Sequence, residues 1–565
     1  MKFRRWFCMS NIKIIPLGGV RENARNMYVV EVEDTIFVLD CGLAFPEGTL
    51  YGIDAVIPDF TYLEENKEKI AGVFLTHGHD DALGALPYFL DEFKVPVFGS
   101  ELTIELAKWY VKEADLGYQF DDYHTVDEEV EIDFDGTVVR FFRTTHTIPD
   151  SMGIAVKTEE GNIVYTGNFK FDQTATGDYR TDFNQINEIG REGVLALLSD
   201  SMEAESITEN QSEAEVQAEV FKTFQETKNR IIVVAVASNI LRIQQILNAA
   251  SRFGRKVFIT RRHVEAIIKI ALDLNKLTLP EEDLFVSTDD LDKYDDEEVV
   301  ILETGAAGEP IQTLDEMARG LHKRVNIQKD DLVYIVTSPS AAMEVAVAKT
   351  ENQVYRAGGR VKTISDNLKV SGHATPIDLQ WMINLMKPKY FIPVQGEYRM
   401  LAAHTDLAYE TGIPYRNTFI VSNGDVLEFT KGQLRQTGQV SAEDTLVDGI
   451  GIGDVGNIVL RDRRILADDG IFVAVCTINR RKKQLVSGPY TATRGFVFAK
   501  ESQDLIDEGN KIVAQVVKKT IQDKGFSWKT LKSNVRDELG SFLFKKTKRR
   551  PIILPVIMEV NQRRN

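Results

Sequence analysis

The sequence predicts a multidomain protein of mixed α/β and α+β class, and three observations carry that prediction. A chain of 565 residues exceeds what one hydrophobic core can organise, so two to four domains of roughly 150 residues are expected. Short β-rich runs fill residues 11–200, and after about residue 205 strands and helices alternate. Beyond a Gly-containing linker comes a basic C-terminal region. With 43% hydrophobic and 27% charged residues the composition is that of an ordinary globular protein, without collagen-like or disordered bias.

In the first region the strand-like runs are Ile12–Leu17, Met27–Val32, Thr35–Leu39, Val95–Phe98, Val130–Phe134, Thr137–Arg143, Ile154–Lys157 and Ile163–Thr166. Glu33-Asp34, Asp135-Gly136 and Glu160-Gly-Asn162 separate consecutive pairs, which is hairpin chemistry. Helical patterns at Leu83–Glu92 and Leu102–Val111 interrupt them. Antiparallel meanders with helices laid outside predict an α+β sandwich.

The second region reads as βαβ units and hence a parallel sheet. Helix Ser212–Gln225, strand Ile231–Val236, helix Ile240–Arg252, strand Lys256–Ile259 and helix Val264–Leu274 alternate, and Val299–Leu302 and Leu332–Val336 add buried strands. Strand Val361–Ile364, the Ser371–Ala374 loop, helix Pro376–Met386 and strand Tyr390–Pro393 follow, with polar groups at strand ends, where sites usually lie. Lys431 to Asp454 reads as a linker. After it come strand-like runs at Ile458–Leu466, Ile471–Cys476 and Gly495–Phe498, helices near 501–521 and 528–544, and a last strand, Ile552–Val560.

Charge is unevenly divided. Residues 456–565 carry 23 Lys and Arg against 11 Asp and Glu, whereas residues 1–455 carry 44 against 74, so a net +12 end adjoins a net −30 body. With the clusters Arg480-Arg-Lys-Lys483 and Lys545-Lys-Thr-Lys-Arg-Arg550, this fits either an anionic partner such as nucleic acid or a solvated basic face. Cys8, Cys41 and Cys476 are far apart and form no CxxC, which argues against a disulfide framework and for a reducing cytoplasmic setting. No apolar run reaches membrane-spanning length, and residues 1–10 read as an extension outside the fold.

Chemistry concentrates in Thr76-His-Gly-His-Asp-Asp-Ala82, which follows the apolar strand Ala71–Leu75 and opens a helix. The chain has only eight histidines, and two of them, His77 and His79, sit in this heptad with Asp81 two residues on. Such a turn can present imidazoles and a carboxylate to one metal ion, the donor types zinc accepts. It reads equally as a polar turn whose histidines cap the helix. His146, at the end of a strand in Phe141-Phe-Arg-Thr-Thr-His146, would complete a three-His zinc set with one position open to water.

The spacing of His77-x-His79-x-Asp81, His146 and Tyr165-Thr-Gly-Asn-Phe-Lys-Phe-Asp172 resembles the metallo-β-lactamase fold. The inserted α/β region, with Ser199-Asp-Ser201, Ser371-Gly-His-Ala374 and Pro393-Val-Gln-Gly-Glu-Tyr-Arg399, resembles the β-CASP nucleases and specifically ribonuclease J. The likeness covers nearly the whole chain after Ser10. It implies a metallo-β-lactamase αββα sandwich (11–205 and 363–430) interrupted by a β-CASP domain (206–362), then a linker (431–455) and a C-terminal α+β domain (456–565). It also implies a two-zinc site that degrades RNA 5′ to 3′ from a monophosphorylated end, with endonuclease activity besides.

Three departures from the family pattern stand together. Ala82 replaces a histidine, Asn168 a bridging aspartate and Gln395 another histidine. All three fall on the second metal or on the bridge, leaving that site only Asp81, while His77, His79 and His146 remain for the first. At most one zinc per chain is therefore expected, with none as the other reading, and weak or absent activity. Ser371, Gly372, His373 and Ala374 resemble the family's substrate-phosphate element, with His373 protonating the leaving group. Asp200 resembles the residue that orients a catalytic histidine, and Ser238 and Asn239 lie on the RNA-binding surface. Leu241 and Ala306-Ala307 replace hydrogen-bonding side chains near the expected 5′-phosphate pocket. This pattern is similar to the second paralogue of that family in Gram-positive bacteria. It implies RNA and the active paralogue as partners, in a homodimer or hetero-oligomer, with no membrane.

Overall fold

The computed structural model describes residues 11–46, 50–305, 309–337, 344–364, 368–449, 451–497, 502–523 and 525–560. Cys8 and the Ala306-Ala307 pair lie outside them. One compact unit comprises the chain up to Phe45 with Ala55–Thr445, and the other comprises Pro46–Asp54 with the chain from Leu446 onward. Among the described residues no helix is long and apolar enough to cross a membrane.

Two sheets face each other in the larger unit. The first has eight strands, in the order Gln433–Gln439, Asp425–Thr430, Ile12–Gly18, Met27–Val32, Thr35–Leu39, Ile70–Phe74, Val97–Gly99 and Tyr123–Thr125. The second has six, in the order Tyr390–Val394, Val194–Asp200, Gly161–Tyr165, Met152–Thr158, Thr137–Arg143 and Glu131–Phe134. Their shared core includes Phe37, Phe74, Phe141, Tyr28 and Tyr165, all essentially without solvent exposure. Helices Phe183–Glu192, Pro376–Met386 and Tyr398–Glu410 cover the outer face of the six-stranded sheet through Ile186, Met382 and Ala408.

The predicted antiparallel hairpins account for only part of these sheets. Thr35–Leu39, Ile70–Phe74, Val97–Gly99 and Tyr123–Thr125 are successively parallel, because helices intervene between them and carry the chain back. The predicted helix Leu83–Glu92 is two helices, Asp80–Leu83 and Leu86–Glu92, with Pro87 in the first turn of the second, where its missing N–H costs nothing. Within the expected linker, Gln433–Gln439 is a strand that extends the eight-stranded sheet. It pairs with Asp425–Thr430 across a two-residue turn, Lys431-Gly432, both with positive φ, the geometry that closes a hairpin.

The inserted region is an all-parallel sheet, ordered Phe285–Val286, Lys256–Ile259, Val299–Gly305, Ile231–Val236, Leu332–Ile335 and Arg360–Thr363. In its inner strands, Ile231–Val236 and the stretch Val299–Leu302 are runs of buried Ile, Val and Leu, as a sheet covered on both faces requires.

In the smaller unit, Gln484–Arg494, Ile471–Asn479 and Ile552–Glu559 form a sheet backed by helices Gln503–Gln522 and Trp528–Thr547. Two predicted strands are corrected here. Asn457–Asp468 is a helix, in which the β-branched start Ile458-Val459 stays exposed, so its strand-like composition decided nothing about packing. Gly495 to Val497 is not strand, since Gly495 turns the chain at φ +68° after strand Gln484–Arg494 has ended, and Phe498 lies outside the described residues.

Candidate functional site

The heptad sits where strand Ile70–Phe74 ends and helix Asp80–Leu83 begins. His79 occupies the helix-capping position but makes no side-chain cap bond, and its ring turns toward His146 instead. The inner ring nitrogens of His77, His79 and His146 all lie within 4.8 Å of one another.

The outer ring nitrogens settle the protonation. His146 Nδ1 lies 2.8 Å from the carbonyl of Gly372, and His79 Nε2 lies 3.2 Å from that of Ser238. Carbonyls only accept, so both of these nitrogens carry the proton. His77 Nδ1 lies 2.8 Å from Thr76 Oγ1, whose own proton goes to the Asp40 carboxylate, so the hydroxyl accepts from the imidazole. A neutral imidazole has one N–H, which leaves three lone pairs converging, with His79 Nδ1 and His146 Nε2 only 3.1 Å apart. Burial, followed by the neighbouring His77, holds the His79 pKa down at about 3. Burial, with His79 next, also keeps His146 well below the usual range. Three inward lone pairs with their outer N–H groups anchored are the donor set of a three-His zinc site, and a cation there relieves their mutual repulsion.

Asp40 therefore belongs to the site. Its carboxylate accepts from Thr76 N, Thr76 Oγ1 and Tyr165 OH, and burial pushes its pKa up to about 7. Gly372 is required by close approach, since a Cβ there would lie 2.7 Å from the His146 ring.

Asp81 is held differently. Its Oδ2 accepts from three amides: Asn168 Nδ2 at 2.8 Å, Asn26 Nδ2 at 3.1 Å and Gln395 Nε2 at 3.2 Å. A carboxylate can only accept, so each amide must offer its NH2. The Asn168 and Gln395 carbonyl oxygens are thereby left buried without a partner. Ala82 is fully buried and has no donor atom. Asn26 was missed as a site residue because an amide two residues before a buried tyrosine carries no sequence signal of its own.

A cleft of about 450 Å3 opens beside these groups, lined by His79, Asp81, His146, Asn168, Ser238, Asn239, Ser371, Gly372, His373 and Gln395. Ala374, expected on the RNA-facing loop, is instead buried in the core against Leu379 and Phe391, because the loop has already turned into helix Pro376–Met386. Asp200 lies buried behind the cleft and pairs with His373, whose Nδ1 is 2.7 Å from Asp200 Oδ2. Burial opposes protonation of His373, and the Asp200 carboxylate outweighs it, so the net pKa lies above the ordinary value. His124, His263, His322 and His404 lie outside the triad. His404 is a buried structural residue bonded to Ser201.

A two-sheet sandwich with a histidine triad at its strand ends and a parallel-sheet insertion beside the triad defines the metallo-β-lactamase fold of the β-CASP class. Residues 20–194 match the metallo-beta-lactamase superfamily, 228–354 the ribonuclease J beta-CASP domain, 358–420 the Zn-dependent metallo-hydrolase RNA specificity domain and 458–560 the ribonuclease J C-terminal domain. Similar proteins include "Ribonuclease J 2" of Streptococcus pyogenes, 51% identical over 98% of this chain and 100% of that protein. "Ribonuclease J 2" of Staphylococcus aureus is 45% identical over 98% and 99%. A crystal structure of a protein of unknown function from Enterococcus faecalis shares the fold at 14% identity and TM-score 0.50, over 74% of this chain and all of that one. The chain belongs to the ribonuclease J family, and one of the family models it matches is described as Zn-dependent.

Proposed function

We propose that this ribonuclease J-like protein holds one zinc ion on His77, His79 and His146, lacks the second metal, and cleaves RNA weakly or not at all. In this reading it works in the cytoplasm in RNA decay and rRNA and mRNA maturation. Its main role is that of a structural and regulatory subunit beside an active paralogue, in a homodimer or hetero-oligomer.

The observation that carries the reading is the Asp81 carboxylate saturated by the amides of Asn26, Asn168 and Gln395. Two close cations need an anionic bridge and further basic donors, whereas here neutral N–H groups point at the carboxylate nearest the triad. Zinc on the triad would supply Lewis acidity toward water or a phosphate oxygen. The chain's own residues would do the rest. Ser238, Asn239 and the Ser371–His373 loop bind the RNA backbone, and His373, kept protonated by Asp200, delivers a proton to the leaving oxygen. Loss of one charge-stabilising group in such a site commonly costs about 10²-fold or more in rate.

A second reading is an autonomous mononuclear ribonuclease, favoured by the intact Asp200–His373 pair. A third, a non-catalytic RNA-binding protein, would make the basic C-terminal region the working part. The proposed division at 11–205 with 363–430, 206–362 and 456–565 places the triad in the first body and Ser238 and Asn239 in the second.

Elemental analysis of purified protein, with turnover of 5′-monophosphorylated RNA compared against a His77→Ala/His79→Ala variant, tests these readings. About one zinc with little turnover is expected. Two tightly bound zincs, or family-level turnover abolished in the variant, would overturn the subunit reading. Co-expression with an active paralogue followed by native mass analysis tests the partnership, and a solitary monomer would count against it.

A further inference from the structure

The geometry points to a second RNA-binding site, a phosphodiester-binding cleft within the C-terminal unit, distinct from the histidine cleft. It lies between helix Asn457–Asp468, helix Trp528–Thr547 and strand Ile552–Glu559, and measures about 710 Å3, within the ~300–1,000 Å3 usual for ligand sites.

Three guanidiniums from three separate places in the chain line it: Arg461, Arg536 and Arg550. Arg550 lies over the ring of Phe544, its guanidinium carbon 4.3 Å from the centroid, and its backbone N–H is fixed by Asp469 at 2.9 Å. A guanidinium held over an aromatic ring keeps N–H groups available to a phosphate at reduced entropic cost. Arg536 is exposed on its helix and has no carboxylate within 4.0 Å among the described residues. Two carboxylates also line the cleft. Asp462 is 3.7 Å from Arg461, and Asp537 accepts from Ser533, so the lining stays net positive.

Apolar Ile465 and Ile552 offer surface for a base, and Gly540 leaves part of the wall without a side chain. Arginine edges for phosphate combined with an apolar surface for bases suit single-stranded RNA better than an acidic peptide, which needs only the charges. Other members of the basic run are already committed to the fold, with Lys546 paired to Glu508 and Arg549 bound to the Phe496 carbonyl. Arg536, which faces the cleft, has no such commitment among the described residues.

This inference rests on the reading of the chain as an RNA-acting protein, and its test separates the two. The full-length protein is titrated with a fluorescent, unstructured 30-nucleotide 5′-monophosphorylated RNA by anisotropy across a salt series. The proteins compared are wild type, Arg536→Gln, Arg536→Gln/Arg550→Gln, His373→Ala, and a Lys511→Gln/Lys518→Gln control that removes the same charge from the exposed face of another helix. The double arginine variant is expected to lose about tenfold in affinity at 0.1 M salt and about 1.4 in log–log salt slope, the single variant about half of that slope, and the control little. With 4-thiouridine RNA, crosslinks are expected in residues 536–554.

Equal losses in the control and the arginine variants, or crosslinks only outside 461–465 and 536–554, the segments that line the cleft, overturn the inference. Retained RNA affinity together with a poly-glutamate peptide that binds wild type and not the double variant would assign the cleft to an acidic protein and overturn it as well. If wild type binds RNA and only His373→Ala weakens it, this inference falls and the RNA reading stands. If wild type binds no RNA, both fall.

Discussion

Asn168 donates its side-chain N–H to Asp81 Oδ2 at 2.8 Å, so a neutral dipole stands where a two-metal site of this class needs a shared anion. Asn168→Asp brings a second carboxylate into that contact in a buried setting. In chelator the variant is expected to lose about 2–4 kcal/mol of stability, the cost of an uncompensated buried charge. Excess zinc should restore most of it, whereas wild type responds less. Thermal unfolding with and without zinc checks this, and equal zinc responses in the two proteins would contradict it.

Removing one imidazole of the triad should abolish tight metal binding. His146→Ala is expected to take zinc content from about one per chain to near zero, since two histidines seldom hold zinc in competition with a chelator. Emission spectrometry after dialysis against chelator supplies the readout.

Glu213 lies buried between Lys170 Nζ at 2.6 Å and Arg242 Nη1 at 3.5 Å. Burial raises its pKa, and the two cations more than offset this, leaving it below the ordinary value. A depressed carboxylate pKa gives stability that is fully present above the unfolded value, near pH 4.3, and is lost as pH falls through the folded value. Glu213→Gln strands two buried cations and is expected to cost about 3–5 kcal/mol near neutral pH. The gap between wild type and variant should narrow below pH ~4, and a gap that is constant across pH would refute the ionic account.

Gly42 backs directly onto the metal loop. A Cβ there would lie 1.7 Å from the Asp81 carbonyl oxygen, so Gly42→Ala must push the backbone of Asp81 aside. Overpacking of this kind costs about 1–3 kcal/mol or more. A lowered melting temperature with weakened zinc retention is expected. Retention equal to wild type would show that the loop can shift without disturbing the triad.

Strands whose hydrophobic pattern coincides with burial were legible in the sequence, and Met27–Val32, Thr35–Leu39, Thr137–Arg143 and Ile231–Val236 have the bounds expected of them. Helix Asn457–Asp468 was not, because its Ile458 and Val459 point to solvent and their side chains report no neighbour. Gln433–Gln439 escaped because Lys431-Gly432 reads as flexible until the left-handed φ of the lysine is seen. At the site, ligand types and spacing named His77, His79 and His146. Which carboxylate orients which group was hidden, since the partners of Asp200 and Asp40 are set by strand ends that meet only in three dimensions.

The amide trio around Asp81 has a consequence for how RNA arrives. A bound cation cancels a carboxylate's charge, whereas hydrogen-bonding dipoles stabilise that charge and leave its sign and its long-range field in place. Phosphodiesters nearing the mouth of the histidine cleft therefore approach a body of net charge −30, in which Asp81 keeps its own charge, and association through that mouth should quicken as added salt screens the long-range repulsion. Encounter by the opposite salt law, slowing as salt rises, would mark the basic C-terminal end as the part of the molecule that captures RNA first.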